Sequence, residues 1–147
     1  MILTLVKNTN SASKSLLTPF TPLLLLFTRL WVAWVFFKSG MLKYSNWDST
    51  LYLFEYEYSV PLLPWQLAAY IGTAAELILP LFIVLGLLTR PMVFVLFVFN
   101  IMAVVSYPVL WEQGFLDHQL WGMMMLVNIF FGAGFLSLDH VIEKRRS

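Results

Sequence analysis

Four side chains carry the strongest polar chemistry of a very apolar chain: Arg29, Glu76, Asn100 and Asn128. Each stands near the middle of its own apolar stretch, where a polar group is costly enough to count as a site by default. One hydrogen-bonding group per stretch, all at one depth, predicts a single buried polar cluster around an Arg29–Glu76 ion pair. A carboxylate beside a guanidinium titrates when the pair is perturbed, which reads as a binding or proton-handling site. The competing reading is a structural clasp that fixes helix register, since interhelical polar contacts are worth about 0.6–2 kcal/mol each.

A second set frames an outer mouth: Gly40, Lys43, Glu55, Glu57, Asp117 and His118. At 100° per residue Gly40 lies about 20° from Arg29 around the helix and Lys43 about 40° the other way, with Ala33 on the same face. Access to the cluster is expected past Gly40 and Lys43, while Lys38, half a turn away, snorkels to headgroups. Ala69, Gly72, Thr73 and Glu76 recur at i, i+3, i+4 and i+7, a small-residue face suited to close helix contact. Pro80 is expected to bend its helix one turn beyond Glu76 and free a carbonyl. Carboxylate and imidazole would suit a divalent metal, but no tight ligand spacing such as HExxH is present, so a solvated acidic rim is expected and no metal site is assigned. The methionines at 123–125 point around a whole helix and read as packing rather than as a copper site.

The elements that must hold these groups follow from composition. Sixty per cent of the 147 residues are hydrophobic and 12% charged, against roughly a quarter charged in a soluble domain. This excludes disorder, a nucleic-acid-binding module and an ordinary soluble enzyme. A net charge of +1 gives no pull on an acidic partner, and the absence of cysteine excludes disulfide, thiol and iron–sulfur chemistry. A hydrocarbon core needs roughly 20 apolar residues per helix, and four stretches qualify: 22–42, 65–88, 91–110 and 119–138. Residues 1–18 read as a mobile cytoplasmic tail, 19–142 as the membrane domain and 143–147 as a basic tail. The run 16–37 behind Lys7 and Lys14 resembles a signal peptide, but Arg29 interrupts it and no small-x-small site follows, so it reads as a retained span.

Lys7, Lys14, Arg90, Lys144, Arg145 and Arg146 lie on the tails and the 2–3 turn, and Asp48, Glu55, Glu57, Glu112 and Asp117 in the other loops. That bias puts both termini in the cytoplasm. Trp47, Trp65, Trp111 and Trp121 gather at the opposite interface with Tyr44, Tyr52, Tyr56, Tyr58 and Tyr107. The expected fold is an all-α membrane protein, an antiparallel four-transmembrane-helix bundle. In the first loop, Leu51, Phe54 and Tyr58 follow helical spacing while residues 54–58 alternate like a strand; the two periods conflict, and a short interfacial helix is expected.

Arg29-Leu30, then Phe36-Phe37-Lys38-Ser39-Gly40 and Lys43, resembles the first-span signature of the DoxX family of bacterial inner-membrane proteins. Glu76-Leu77 with Leu85-Gly86-Leu87-Leu88-Thr89-Arg90 is similar to that family's second span and turn. Phe131-Gly132-Ala133-Gly134-Phe135-Leu136-Ser137-Leu138-Asp139 is similar to its closing segment, with Ala133 where many members carry proline. Glu55 to Tyr58, Val60 to Pro64 and Asp117-His118 look closer to the subgroup found beside DUF692-type proteins in metal-stress gene clusters. The resemblance implies a multi-pass inner-membrane protein, with Arg29, Lys43 and Glu76 as family positions of unstated role. Some members are named as subunits of quinone-linked or oxidative-stress systems.

The leading functional reading is therefore an accessory subunit of a redox or metal/oxidative-stress system. It is embedded in lipid, joined to a protein partner, and without nucleic acid. Quinone is the ligand that aromatic and apolar walls with one or two polar groups would suit, with Trp31 and Trp34 as candidate walls. No haem-ligand pair or flavin pattern appears, so catalysis by the chain alone is not expected. The alternatives are a small transporter or channel component gated by the Arg-Glu-Asn cluster, and a structural anchor for a soluble partner.

Overall fold

A computed structural model describes residues 2–146, and every regular element among them is helical. The chain opens with α1 (Ile2–Leu17) and a 3-10 turn (Thr18–Phe20). The expected tail is thus helical: residues 1–18 hold no glycine or proline to interrupt it. α2 (Thr21–Ser45) begins with proline in its first turn, where the missing N–H costs no bond. α3 (Trp47–Tyr56) settles the conflict in the loop. Thr50 and Phe54, one turn apart, are buried, while Glu55, Tyr56 and Glu57 are exposed, so the helical period prevails.

α4 (Trp65–Leu85) carries Pro80 within continuous helix and stops at Gly86, whose φ of 66° suits a residue without a side chain. The Leu87 N–H reaches back to the Phe82 carbonyl at 3.0 Å and the Gly86 N–H to Ile83 at 3.2 Å. These bonds end the helix three residues short of the expected 88. α5 (Thr89–Ser106) follows a left-handed Leu88. The Asp139 carboxylate supplies the missing cap, accepting from the Leu88 N–H at 2.8 Å and the Thr89 N–H at 2.9 Å. α5 closes before the expected 110 because Tyr107, which precedes Pro108, is extended. A single turn, α6 (Val109–Glu112), leads to α7 (Phe115–Phe131). Gly132, at φ 78°, ends α7 well before the expected 138; an irregular segment then leads to α8 (Leu138–Arg146).

One buried core joins the four long helices. It is made of Val32, Ala33 and Phe36 of α2, Ile83 of α4, Val93 and Leu96 of α5, and Met125 of α7. Met123 is exposed, so these methionines divide between core and outer surface. Among the described residues, three helical runs are long and apolar enough to cross a membrane: Thr9–Ser45, Trp65–Leu85 and Thr89–Ser106. α7, with 17 residues, reaches about 26 Å at 1.5 Å per residue. Leu24, Phe27, Trp31 and Trp34 of α2 and Phe94, Val98 and Ile101 of α5 point outward. An apolar outer face of this extent belongs in lipid rather than water. The chain is a membrane protein. Trp31 and Trp34 face away from the interior and wall no internal site.

Candidate ligand cavity

Arg29, Glu76, Asn100 and Asn128 are all buried, but they form no single cluster. Glu76 pairs instead with Lys43, whose Nζ lies 2.6 Å from Oε2 and 2.8 Å from Oε1. Lys43 also donates to the Ser39 hydroxyl at 2.9 Å, and Ser39 donates to Glu76 at 3.3 Å. The reason is axial distance. Gly40 abuts Glu76, and Arg29 lies eleven residues before Gly40, about 16 Å away along the helix. Arg29 instead donates to the Ala133 carbonyl at 3.2 Å and the Leu136 carbonyl at 2.7 Å. The early end of α7 brings that loop beneath it.

The two asparagines make separate ties. Asn128 donates to Thr28 Oγ1 at 2.8 Å and to the Met124 carbonyl at 2.9 Å, linking α7 to α2. Asn100 donates to the His118 carbonyl at 3.0 Å, and its Oδ1 lies 2.7 Å from His118 Nδ1, linking α5 to α7. Lys43–Glu76, Asn128–Thr28 and Asn100–His118 are thus separate ties between helices rather than one cluster.

Lys43, Glu76 and His118 nevertheless line one cavity, of about 460 Å³. Its walls come from Phe54 of α3, Ile71, Gly72 and Ala75 of α4, and Val95, Phe99 and Met102 of α5. Tyr58, Ser106 and Tyr107 add polar groups towards the loops. The small residues of α4 make this space possible: a Cβ at position 72 would meet the Phe54 and Phe99 rings at 3.4 and 3.7 Å. Ser106 Oγ is buried without a hydrogen-bond partner among the described residues. Burial pushes the Tyr58 phenol up to about 12, with Tyr107, Glu76 and Glu57 adding to the shift. The Tyr107 phenol is also raised, first by loss of solvent and then by its 3.0 Å hydrogen bond to Glu57.

The remaining mouth residues do not converge. Glu55 and Asp117 are exposed, and Glu57 reaches only Tyr107. No group of three or more His, Asp or Glu side chains suited to a metal occurs among the described residues. Gly40 opens no passage either. A Cβ there would stand 2.9 Å from Glu76 Cβ and 3.0 Å from its carbonyl carbon, so the glycine serves close contact of α2 with α4. The expected route past Gly40 is closed. Phe99 and Ser106 are site residues that the sequence reading did not name, while Ser39 and Phe54 were named there only within a family motif and a helical stripe; Ser39, one helical turn before Lys43, is the one whose spacing pointed to the site.

An all-helical membrane protein with a largely apolar cavity that holds a few polar groups is the class these features define. The DoxX family pattern matches residues 24–108, and the chain belongs to that family. A protein of Haemophilus influenzae described as uncharacterized is similar to it, 30% identical over 128 residues that cover 82% of this chain and 83% of its own length. No solved structure matches.

Proposed function

We propose that this protein is an accessory subunit of a redox or oxidative/metal-stress system in the bacterial inner membrane, and that its cavity binds a quinone. In this reading α7 is the fourth span, the helices form an antiparallel bundle, and both termini lie in the cytoplasm. The cavity carries the proposal. Its aromatic and aliphatic walls suit a ring with an apolar tail, and Ser106, Tyr58, His118 and the Lys43–Glu76 pair offer a few polar groups to orient it. A quinone bound there would supply electron-carrying chemistry that the side chains lack. The donor set fits, since Ser106 Oγ is a buried polar atom in need of a partner.

The test is solvent extraction of protein purified in mild detergent, followed by chromatography for quinone. A near-stoichiometric quinone that is lost in Gly72→Phe, a variant that fills the cavity, is the expected result. A quinone content equal in the two proteins would remove the assignment. Affinity capture from solubilised membranes examines the partner, which should co-purify in fixed ratio. The gated-transporter alternative draws no support from the geometry, because Arg29, Glu76 and the asparagines are not joined.

A further inference from the structure

We propose, resting on the quinone reading above, that the cavity receives the hydroxyl-bearing head of a neutral, bilayer-soluble molecule that passes sideways between α4 and α5 and donates a hydrogen bond to His118 Nε2. The passage follows from where the wall residues face. Ile71 of α4 and Val95 and Val98 of α5 line the cavity and are 49%, 48% and 44% exposed, too much for a wall sealed between helices. The wall between α4 and α5 is therefore shared with the lipid side. The opposite wall is shut by the contact of Gly40 with Glu76.

The preference for a neutral ligand follows from the charged pair. Both Glu76 oxygens and the Ser39 hydroxyl receive Lys43 Nζ, which leaves neither charge in need of a counterion. A charged head would lose its water without a matching gain.

The preference for a hydroxyl follows from the tautomer of His118. Asn100 Nδ2 donates to the His118 backbone carbonyl, a group that can only accept, which fixes the orientation of the amide. The atom 2.7 Å from His118 Nδ1 is then an oxygen, so Nδ1 carries the proton. Nε2 retains its lone pair and makes no hydrogen bond among the described residues. A ligand with only carbonyl acceptors leaves that nitrogen unsatisfied, whereas a hydroxylated ring satisfies it. Ser106 Oγ and Tyr58 remain for a second oxygen. Of a quinone couple, the reduced, hydroxylated form is the one held.

The experiment is calorimetric titration of the full chain in lipid nanodiscs with decyl-benzoquinol, kept reduced, and with its di-O-methyl ether. The quinol should bind about tenfold more tightly than the ether. In His118→Asn, whose amide nitrogen can still donate to Asn100, quinol affinity should fall to that of the ether. Val98→Trp should slow or abolish binding of both at unchanged melting temperature. Equal affinities of quinol and ether in the native protein would overturn hydroxyl recognition while leaving the cavity as a quinone site. Native binding by Val98→Trp would overturn the lateral passage. Failure of the quinol, the ether and the oxidised decyl-benzoquinone all to bind would instead remove the quinone reading itself.

Discussion

Lys43 Nζ and Glu76 Oε2 meet at 2.6 Å across the α2–α4 contact, and Gly40 is the residue that lets the two helices come close enough for it. The side chains are 17% and 6% exposed, so each charge depends on the other more than on solvent. Removing one partner of such a buried pair leaves an uncompensated charge and costs roughly 3–5 kcal/mol. Glu76→Ala should therefore lower the thermal midpoint in detergent more than Lys43→Ala/Glu76→Ala does. Arg29→Ala and Glu76→Ala, by contrast, should be additive. A coupling between Arg29 and Glu76 of the size found for Lys43 and Glu76 would contradict the pairing.

Gly40→Leu should lose stability and yield together. The added Cβ meets Glu76 Cβ at 2.9 Å, and the obstacle lies against the α4 backbone rather than at the tip of a flexible side chain. Overpacking of this kind costs about 1–3 kcal/mol or more. Lys38→Ala, on the exposed face, is the control. A fully folded but inactive Gly40→Leu protein would restore the idea of a passage at that position.

Tyr58 should titrate apart from the exposed tyrosines. Its phenol is held near 12 against an ordinary 10.0, so the folded protein keeps a proton that the unfolded chain gives up. The stability this contributes is complete below about pH 10 and is lost as pH rises towards 12. Phenolate absorbance should show a late step in the folded protein that Tyr58→Phe removes. An unchanged titration curve in that variant would place Tyr58 in contact with water.

Asp139→Ala should destabilise the start of α5. Its carboxylate accepts two backbone N–H bonds at a helix N-terminus, a contribution of about 1–2 kcal/mol. Hydrogen exchange at Leu88 and Thr89 should rise before exchange elsewhere in α5. Asp139→Asn, which keeps one acceptor oxygen, should recover part of the loss.

The proposed topology predicts that a fluorescent-protein fusion at the C-terminus glows and an alkaline phosphatase fusion there stays inactive. An active phosphatase would invert the orientation.

Which residues would be buried was legible in the sequence, because Arg29, Glu76, Asn100 and Asn128 interrupt apolar runs. Their partners were not. Depth within a stretch ranks residues along one axis only, and it set Arg29 level with Glu76 because each was placed near the middle of its own stretch, whereas the packing of α2 on α4 puts Gly40 level with Glu76. Gly132, which ends α7, and Pro108, which follows Tyr107, stand inside long apolar runs, and the length of those runs set the expected helix ends. The His118–Asn100 tie joins a loop-edge residue to a mid-helix one and has no local pattern that would announce it. The α3 helix became definite only through the packing of Phe54 with Ala68 and Ala69 of α4 and the bond from the Thr50 hydroxyl to the Lys43 carbonyl of α2, a tertiary choice between two periods that the segment allows equally.

The segment after Gly132 serves residues that were made long before it. Arg29 finds its acceptors at Ala133 and Leu136, and the α5 N-terminus finds its cap at Asp139. During synthesis, α2 and the α4–α5 turn must wait with these groups unmet until the segment after Gly132 has been made. Arrival of that segment thus acts as the locking step of assembly. A chain truncated before Ala133 would present the Arg29 guanidinium without either of these acceptors, a mark by which membrane quality control could distinguish it from a chain that carries the segment.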